Sequence, residues 1–262
     1  MKRVLVLLLC GVASAAAADE WSLQLLPQGY VEYEGSGYRQ VPSGWELKVK
    51  PWNPVGGIRW RRTLSVDWAV QAQAWANRAT YAGEIGNRSG IQQYGQTSLA
   101  VQTLWLDARR PLRFSPVEIV FGVNGARQVF KRKAIEFGAP EPDTARETLQ
   151  SLGAHVGFHA GRKPPPRGFF WDGEILLGHS FWTRNRLRVE GGTIDRRGYT
   201  YHFRWEGGYA VGRWRLSAGY ARQLVEVLVP GGKSLPTTGA TVSLPINKTD
   251  LFGPFLALGW TY

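Results

Sequence analysis

Residues 199–211 read Tyr199-Thr200-Tyr201-His202-Phe203-Arg204-Trp205-Glu206-Gly207-Gly208-Tyr209-Ala210-Val211, and outside the glycine pair an aromatic or apolar residue alternates with a polar or small one. Successive side chains of an extended strand point to opposite faces, so this is a strand with one apolar and one polar face. Gly212-Arg213 follows as a two-residue turn. Beyond it Trp214, Leu216, Ala218, Tyr220 and Leu224 alternate with Arg215, Ser217, Gly219, Ala221 and Gln223. The pair predicts an antiparallel hairpin with an aromatic outer surface.

The same period runs through the chain. Val117, Ile119, Phe121 and Val123 oppose Glu118, Gly122 and Asn124, while Leu152, Ala154, Val156, Phe158 and Ala160 oppose His155, Gly157 and His159. The longest run joins Ile58, Trp60, Leu64, Val66, Trp68, Val70, Ala72, Ala74 and Ala76 against Arg59, Arg61, Thr63, Ser65, Asp67, Gln71 and Gln73. Such lengths exceed the roughly 5 to 6 residues of an ordinary globular strand and suit tilted membrane strands. A secreted soluble β-sandwich or lipocalin-like barrel also alternates, but its outer face is solvated; here the polar faces are rich in Gly, Ala, Ser and Thr, as a crowded barrel interior requires.

The N-terminus carries Lys2 and Arg3, an apolar stretch from Val4 to Val12 and the small residues Ala13 to Ala18 before Asp19, the anatomy of a signal peptide cleaved after Ala18. Cys10, the one cysteine, lies in the apolar stretch, so the mature domain of residues 19–262 relies on no disulfide. The 262 residues carry a formal net charge of +12. In an exported chain the anionic partners are lipopolysaccharide and phospholipid headgroups rather than nucleic acid. No later stretch approaches the roughly 20 apolar residues of a membrane helix. Insertion therefore requires a barrel, and 12 Trp, 10 Tyr and 11 Phe supply its interfacial belts.

Short connections (Pro51 to Gly57, Arg109 to Pro116, Arg162 to Gly168, Gly212-Arg213) alternate with long ones (Asn77 to Gln96, Lys131 to Gln150, Thr183 to Gly198, Val229 to Thr249). With Gly29 to Glu34 and Gly44 to Lys50 as the first hairpin, this gives an all-β, up-and-down antiparallel transmembrane barrel of ten strands, both ends in the periplasm. That first hairpin is the weakest reading, and eight or twelve strands are compatible with it.

At the C-terminus Leu256, Leu258, Trp260 and Tyr262 share one face, Ala257, Gly259 and Thr261 the other. This ending resembles that of bacterial outer-membrane β-barrels as a class. The resemblance implies a bacterial outer-membrane location and makes those four residues the signal read by the barrel-assembly machinery.

The interior should collect His155, His159, His202, Arg204, Glu206, Arg59, Arg61 and Arg215, with Asp67, Glu46, Lys48, Lys50 and Glu118 on the same face. Charges enclosed in a small barrel must pair, and they either fill it or line a solute-selective constriction. His155 and His159 are about 13 Å apart along a strand, too far to share one metal ion. No metal or cofactor motif is present, so no cofactor is expected. Two enzyme families are built on small outer-membrane barrels, and the chain departs from the pattern of each. A lipid A deacylase needs His and Ser on one face, whereas His179 and Ser180 are adjacent and face oppositely. An omptin protease pairs acidic residues with one another and with His, and no Asp here adjoins a His in the chain. The expected function is a structural or narrow-channel barrel whose loops contact lipopolysaccharide, the basic segment Thr183 to Gly198 foremost. An outer-membrane hydrolase acting on lipid A or peptides is the alternative.

Overall fold

The computed structural model describes residues 19–26, 30–35, 47–49, 54–86, 92–112, 115–135, 144–162, 164–187, 193–195, 197–228, 233–234, 241–242 and 247–262. Residues 1–18, with the expected signal peptide, and Glu46 and Lys50 lie outside this set; so do the side chains of Leu47–Val49, Lys48 included.

The chain forms a closed, ten-stranded, all-antiparallel up-and-down β-barrel. We label as β1 the segments Asp19–Leu26 and Tyr30–Gly35, and as β2 the segments Leu47–Val49 and Val55–Thr63. Then follow β3 (Ala69–Gly86), β4 (Gln92–Pro111), β5 (Val117–Ile135), β6 (Thr144–Arg162) and β7 (Arg167–Leu187). The last three are β8 (Arg197–Val211), β9 (Trp214–Leu228) and β10 (Asn247–Thr261), and β1 pairs β10 to close the ring. A short strand, Thr193–Asp195, pairs the upper part of β7. One continuous closed sheet excludes the two-sheet sandwich.

One row of cross-strand partners measures the stagger. From Trp214 on β9 it passes through Trp260, Trp21, Trp60, Ala72, Leu106, Val123, Ala154, His179 and Tyr199. It returns to β9 at Glu226, twelve residues beyond its start. With ordinary spacings of about 3.3 Å along and about 4.8 Å between strands, that stagger tilts ten strands by roughly 40°.

Apolar residues face outward. Leu216, Leu177, Val156 and Phe158 are all more than half exposed, although the chain buries smaller and more polar residues inside. This inverts a soluble lipocalin-like barrel. On β8 the outer band runs from Tyr209 to Tyr199, both exposed. Ten residues at that tilt rise by about 25 Å, the height of an outer-membrane barrel's apolar band.

Three of the four expected short connections hold, joining β4 to β5, β6 to β7 and, through Gly212-Arg213, β8 to β9, with Gly212 in the left-handed region at φ 59° that this tight turn needs. The fourth does not. Ile58 to Ala76 is not one strand but two, β2 and β3, joined by a turn over Leu64–Trp68 in which Leu64 and Ser65 both donate to the Trp68 carbonyl. Pro51 to Gly57 is not the turn; β2 resumes at Val55. The first strand begins at Asp19, ahead of the expected Gly29. Two misplacements cancel, and the count of ten stands. Long connections are shorter than expected because the hairpins continue through them: β3 and β4 stay paired to Gly86 and Gln92, and β5 and β6 to Lys133 and Thr144.

Candidate functional site

The lumen is where the chain's polar chemistry converges, and its strands place that chemistry by parity alone. Odd positions of β2, β3, β4 and β6 and even positions of β5 and β8 point inward, as the buried residues Gln71, Thr103, Arg109, His155, Glu118 and Arg204 show. A β-bulge on β7 changes the parity there: Ser180 and Thr183 are buried while Phe181 and Trp182 between them are both exposed.

Opposite walls touch. Arg59 on β2 reaches Asp172 on β7, five strands around a ring of ten, with Nη1 3.3 Å from Oδ1, and its Nη2 lies 2.7 Å from Glu206 Oε1. Arg204 donates to the same two carboxylates, to Glu206 at 2.7 Å and to Asp172. Ser217 adds a hydrogen bond to Glu206 at 3.1 Å. Four charges thus form one knot, and both Arg204 and Glu206 are buried.

A second knot centres on Arg109, fully buried, which donates to Glu174 on β7 and lies 3.4 Å from Asp107 Oδ2 and 3.7 Å from Glu118 Oε2. His155 Nε2 is 2.8 Å from Asp107 Oδ1, while His202 Nε2 is 3.1 Å from Glu174 Oε1. The Trp105 ring lies against both imidazoles, at 4.8 and 5.2 Å between centroids. His159 joins the two knots: Nε2 is 2.7 Å from Asp172 Oδ2 and Nδ1 is 2.9 Å from Glu118 Oε2. Arg61 caps Glu118 at 2.6 Å, and Arg215 meets Glu20 at 3.2 Å nearer the turn end.

Above the charges the filling turns neutral. Thr103 on β4 donates across the lumen to Gln223 on β9 at 2.6 Å, and Asn124 on β5 to Thr200 on β8 at 3.2 Å. Leu26, Val55, Trp75, Val101, Leu251 and Phe255 pack together at the β1–β2 side of this layer. Below the charges, toward the turns, a cavity of about 600 Å³ opens, floored by Arg59, Glu118, His159 and Asp172.

Of the residues singled out in the sequence, His155, His159, His202, Arg204 and Glu206 are buried inside the barrel, and Arg59, Arg61 and Arg215 face the same interior at 12 to 16% side-chain exposure. Leu256, Leu258 and Tyr262 lie exposed on the outer surface, and Trp260 stands in the row of indoles with Trp21 and Trp214. Asp67, expected inside, sits exposed in the Leu64–Trp68 turn. His179 and Ser180 do face oppositely: Ser180 is buried, and the His179 ring meets Tyr199 outside. Asp107, Arg109, Asp172 and Glu174 were not singled out, though they hold the lattice together. Arg109, expected in a turn, lies within β4, which runs on to Pro111. The pairs His155–Asp107 and His159–Asp172 lie 48 and 13 residues apart in the chain, so no search for adjacent His and Asp could meet them. Alternation along 172–180 would have marked Asp172 and Glu174 as inward.

No protein-family model and no curated protein sequence matches the chain. Solved structures do. The outer membrane protease OmpT from Escherichia coli superposes with a TM-score of 0.58 at 12% identity, over 95% of this chain and 99% of that one. A major outer membrane protein from Thermus thermophilus gives 0.39 at 12% identity over 95% and 100%, and the outer membrane protein OprG from Pseudomonas aeruginosa 0.33 at 8% over 94% of each. At 12% identity the likeness to OmpT is one of fold, and it says nothing of shared chemistry.

Proposed function

We propose that the chain is an integral barrel of the bacterial outer membrane whose lumen is closed to solutes and whose role is structural, its outer segments meeting lipopolysaccharide. The apolar outer band of about 25 Å supports the membrane location. The observation that carries the closed lumen is contact between opposite walls at two levels, Arg59 with Asp172 and Thr103 with Gln223. A passage for solutes would need both to separate. A selective constriction also needs unpaired charges of one sign. Here Glu20, Asp107, Glu118, Asp172, Glu174 and Glu206 each contact at least one of Arg59, Arg61, Arg109, Arg204 and Arg215.

A hydrolase gains no support from the described interior. Acid–base work needs an imidazole nitrogen within reach of substrate. His159, the one interior imidazole among the described residues that borders the turn-end cavity, has carboxylates at both nitrogens, and His155 and His202 are buried above it.

The test is heat-modifiability of the outer-membrane protein on a denaturing gel, followed by planar-bilayer recording of the folded form. A boiling-dependent shift with no conductance steps is the expected result. Steady open-channel currents from the unaltered protein would overturn the closed lumen, and a soluble protein with no shift would overturn the membrane location.

A further inference from the structure

Once the lumenal charges are paired, four arginines at the turn end stand apart. Arg110, Arg162 and Arg167 lie at or next to the turn-side ends of β4, β6 and β7, Arg213 lies in the β8–β9 turn, and all four are exposed. Arg62, by contrast, lies 3.6 Å from Asp19. Among the described residues no ion pair forms to any of the four, and Asp67 is the one exposed carboxylate at this end.

Each free arginine adjoins an outward aromatic ring. Arg110 lies 5.7 Å over the Trp68 ring, which meets Phe121 edge-on. Arg162 stands directly opposite Trp171 in the β6–β7 ladder and also borders the mouth of the turn-end cavity. Arg167 precedes Phe169, packed edge-on against Tyr209 at 5.0 Å, and Arg213 precedes Trp214. The pairing repeats around the barrel from the β2–β3 turn to β9: an aromatic ring at the edge of the apolar band, with a guanidinium beside it or a step beyond it. Aromatic rings settle at the glycerol and carbonyl level of a bilayer, and a guanidinium just beyond reaches the phosphate level, where its forked donors match phosphate oxygens.

We propose that this collar of Arg110, Arg162, Arg167 and Arg213 binds the phosphates of anionic glycerophospholipids in the leaflet at the turn end. The proposal rests on the membrane location argued above. A basic side chain near an anionic lipid surface favours it by about five-fold, so the barrel should gather anionic lipid around its turn-side rim.

The full chain, folded into phosphatidylcholine vesicles doped with either dibrominated phosphatidylglycerol or dibrominated phosphatidylcholine, reports on this through quenching of tryptophans beside the collar. The expected result is several-fold stronger quenching by the brominated phosphatidylglycerol at low salt. It falls to parity in the variant R110Q/R162Q/R167Q/R213Q, and survives when the same four positions are Lys. None of the four takes part in the lumenal ion pairs, so the variants should keep their gel shift. Equal quenching by the two lipids in the unaltered protein, or a preference that persists in the Gln variant, would overturn the collar and leave the barrel standing. Failure of the unaltered chain to fold into any vesicle would overturn the membrane location itself.

Discussion

Thr103 and Gln223 stand five strands apart on the ring, yet the threonine hydroxyl donates to the glutamine carbonyl oxygen at 2.6 Å. Two facing side chains suffice to span the interior at this height. Because both are buried, losing either partner strands the other without water. Thr103→Val and Gln223→Leu should each lower stability by about 1 to 3 kcal/mol, and the double variant should cost less than the two together. Urea unfolding in lipid vesicles measures the cycle; strictly additive losses would show that the bond contributes nothing of its own.

Arg204, like Arg109, is a fully buried cation among carboxylates, and its partners are Asp172 and Glu206. Arg59 touches both from the opposite wall, but at 13% side-chain exposure it keeps contact with the turn-end water. Arg204→Met should therefore cost about 3 to 5 kcal/mol, the loss expected when a buried pair is broken from one side, whereas Arg59→Met should cost less. The order of the two unfolding midpoints decides it, and a milder loss at Arg204 than at Arg59 would contradict the enclosed-knot arrangement.

Gly157 lies between His155 and His159 on the inner face of β6, and a Cβ built on it would come 2.0 Å from the Ile175 carbonyl oxygen of β7. The obstacle is backbone, which cannot swing away like a side chain. Gly157→Ala should force the two strands apart and cost at least the roughly 1 to 3 kcal/mol of an overpacked core, read as a lowered temperature for the gel shift. Gly56, also in a strand, has nothing within 4 Å of its Cβ direction, and Gly56→Ala should leave that temperature unchanged.

How much of this was legible depended on parity. In the Gly212-Arg213 hairpin Val211 pairs Trp214, an odd residue with an even one, so the outward set switches from odd to even positions and the turn announces itself. Around Leu64–Trp68 the closing pair is Thr63 with Ala69, both odd. The alternation there runs through the turn unbroken, and two strands read as one. Inward residues were legible one strand at a time, which is why the histidines and Arg204 could be singled out. Their partners were not, because which carboxylate meets which imidazole depends on a stagger of twelve that emerges only when all ten strands are laid side by side.

The bulge on β7 gives the sharpest test of that register. Phe181 is the inserted residue: Ser180 pairs Gly153 and Trp182 pairs Leu152, leaving Phe181 without an opposite number on β6. Deleting Phe181 would make Ser180, Trp182 and Thr183 alternate inward, outward, inward with no other residue changing face. The barrel should fold, with a stability loss of about 1 kcal/mol or less. Deleting Leu177, only four residues away and equally outward, differs in kind. The turn fixes the strand below and the ladder above absorbs the bulge, so residues 178–181 would reverse, swinging His179 and Phe181 into a lumen already filled by Asn124, Ser151 and Thr200. That deletion should abolish the gel shift. A Phe181 deletion that fails to fold, or a Leu177 deletion that folds normally, would mean that the bulge does not set the register of β7.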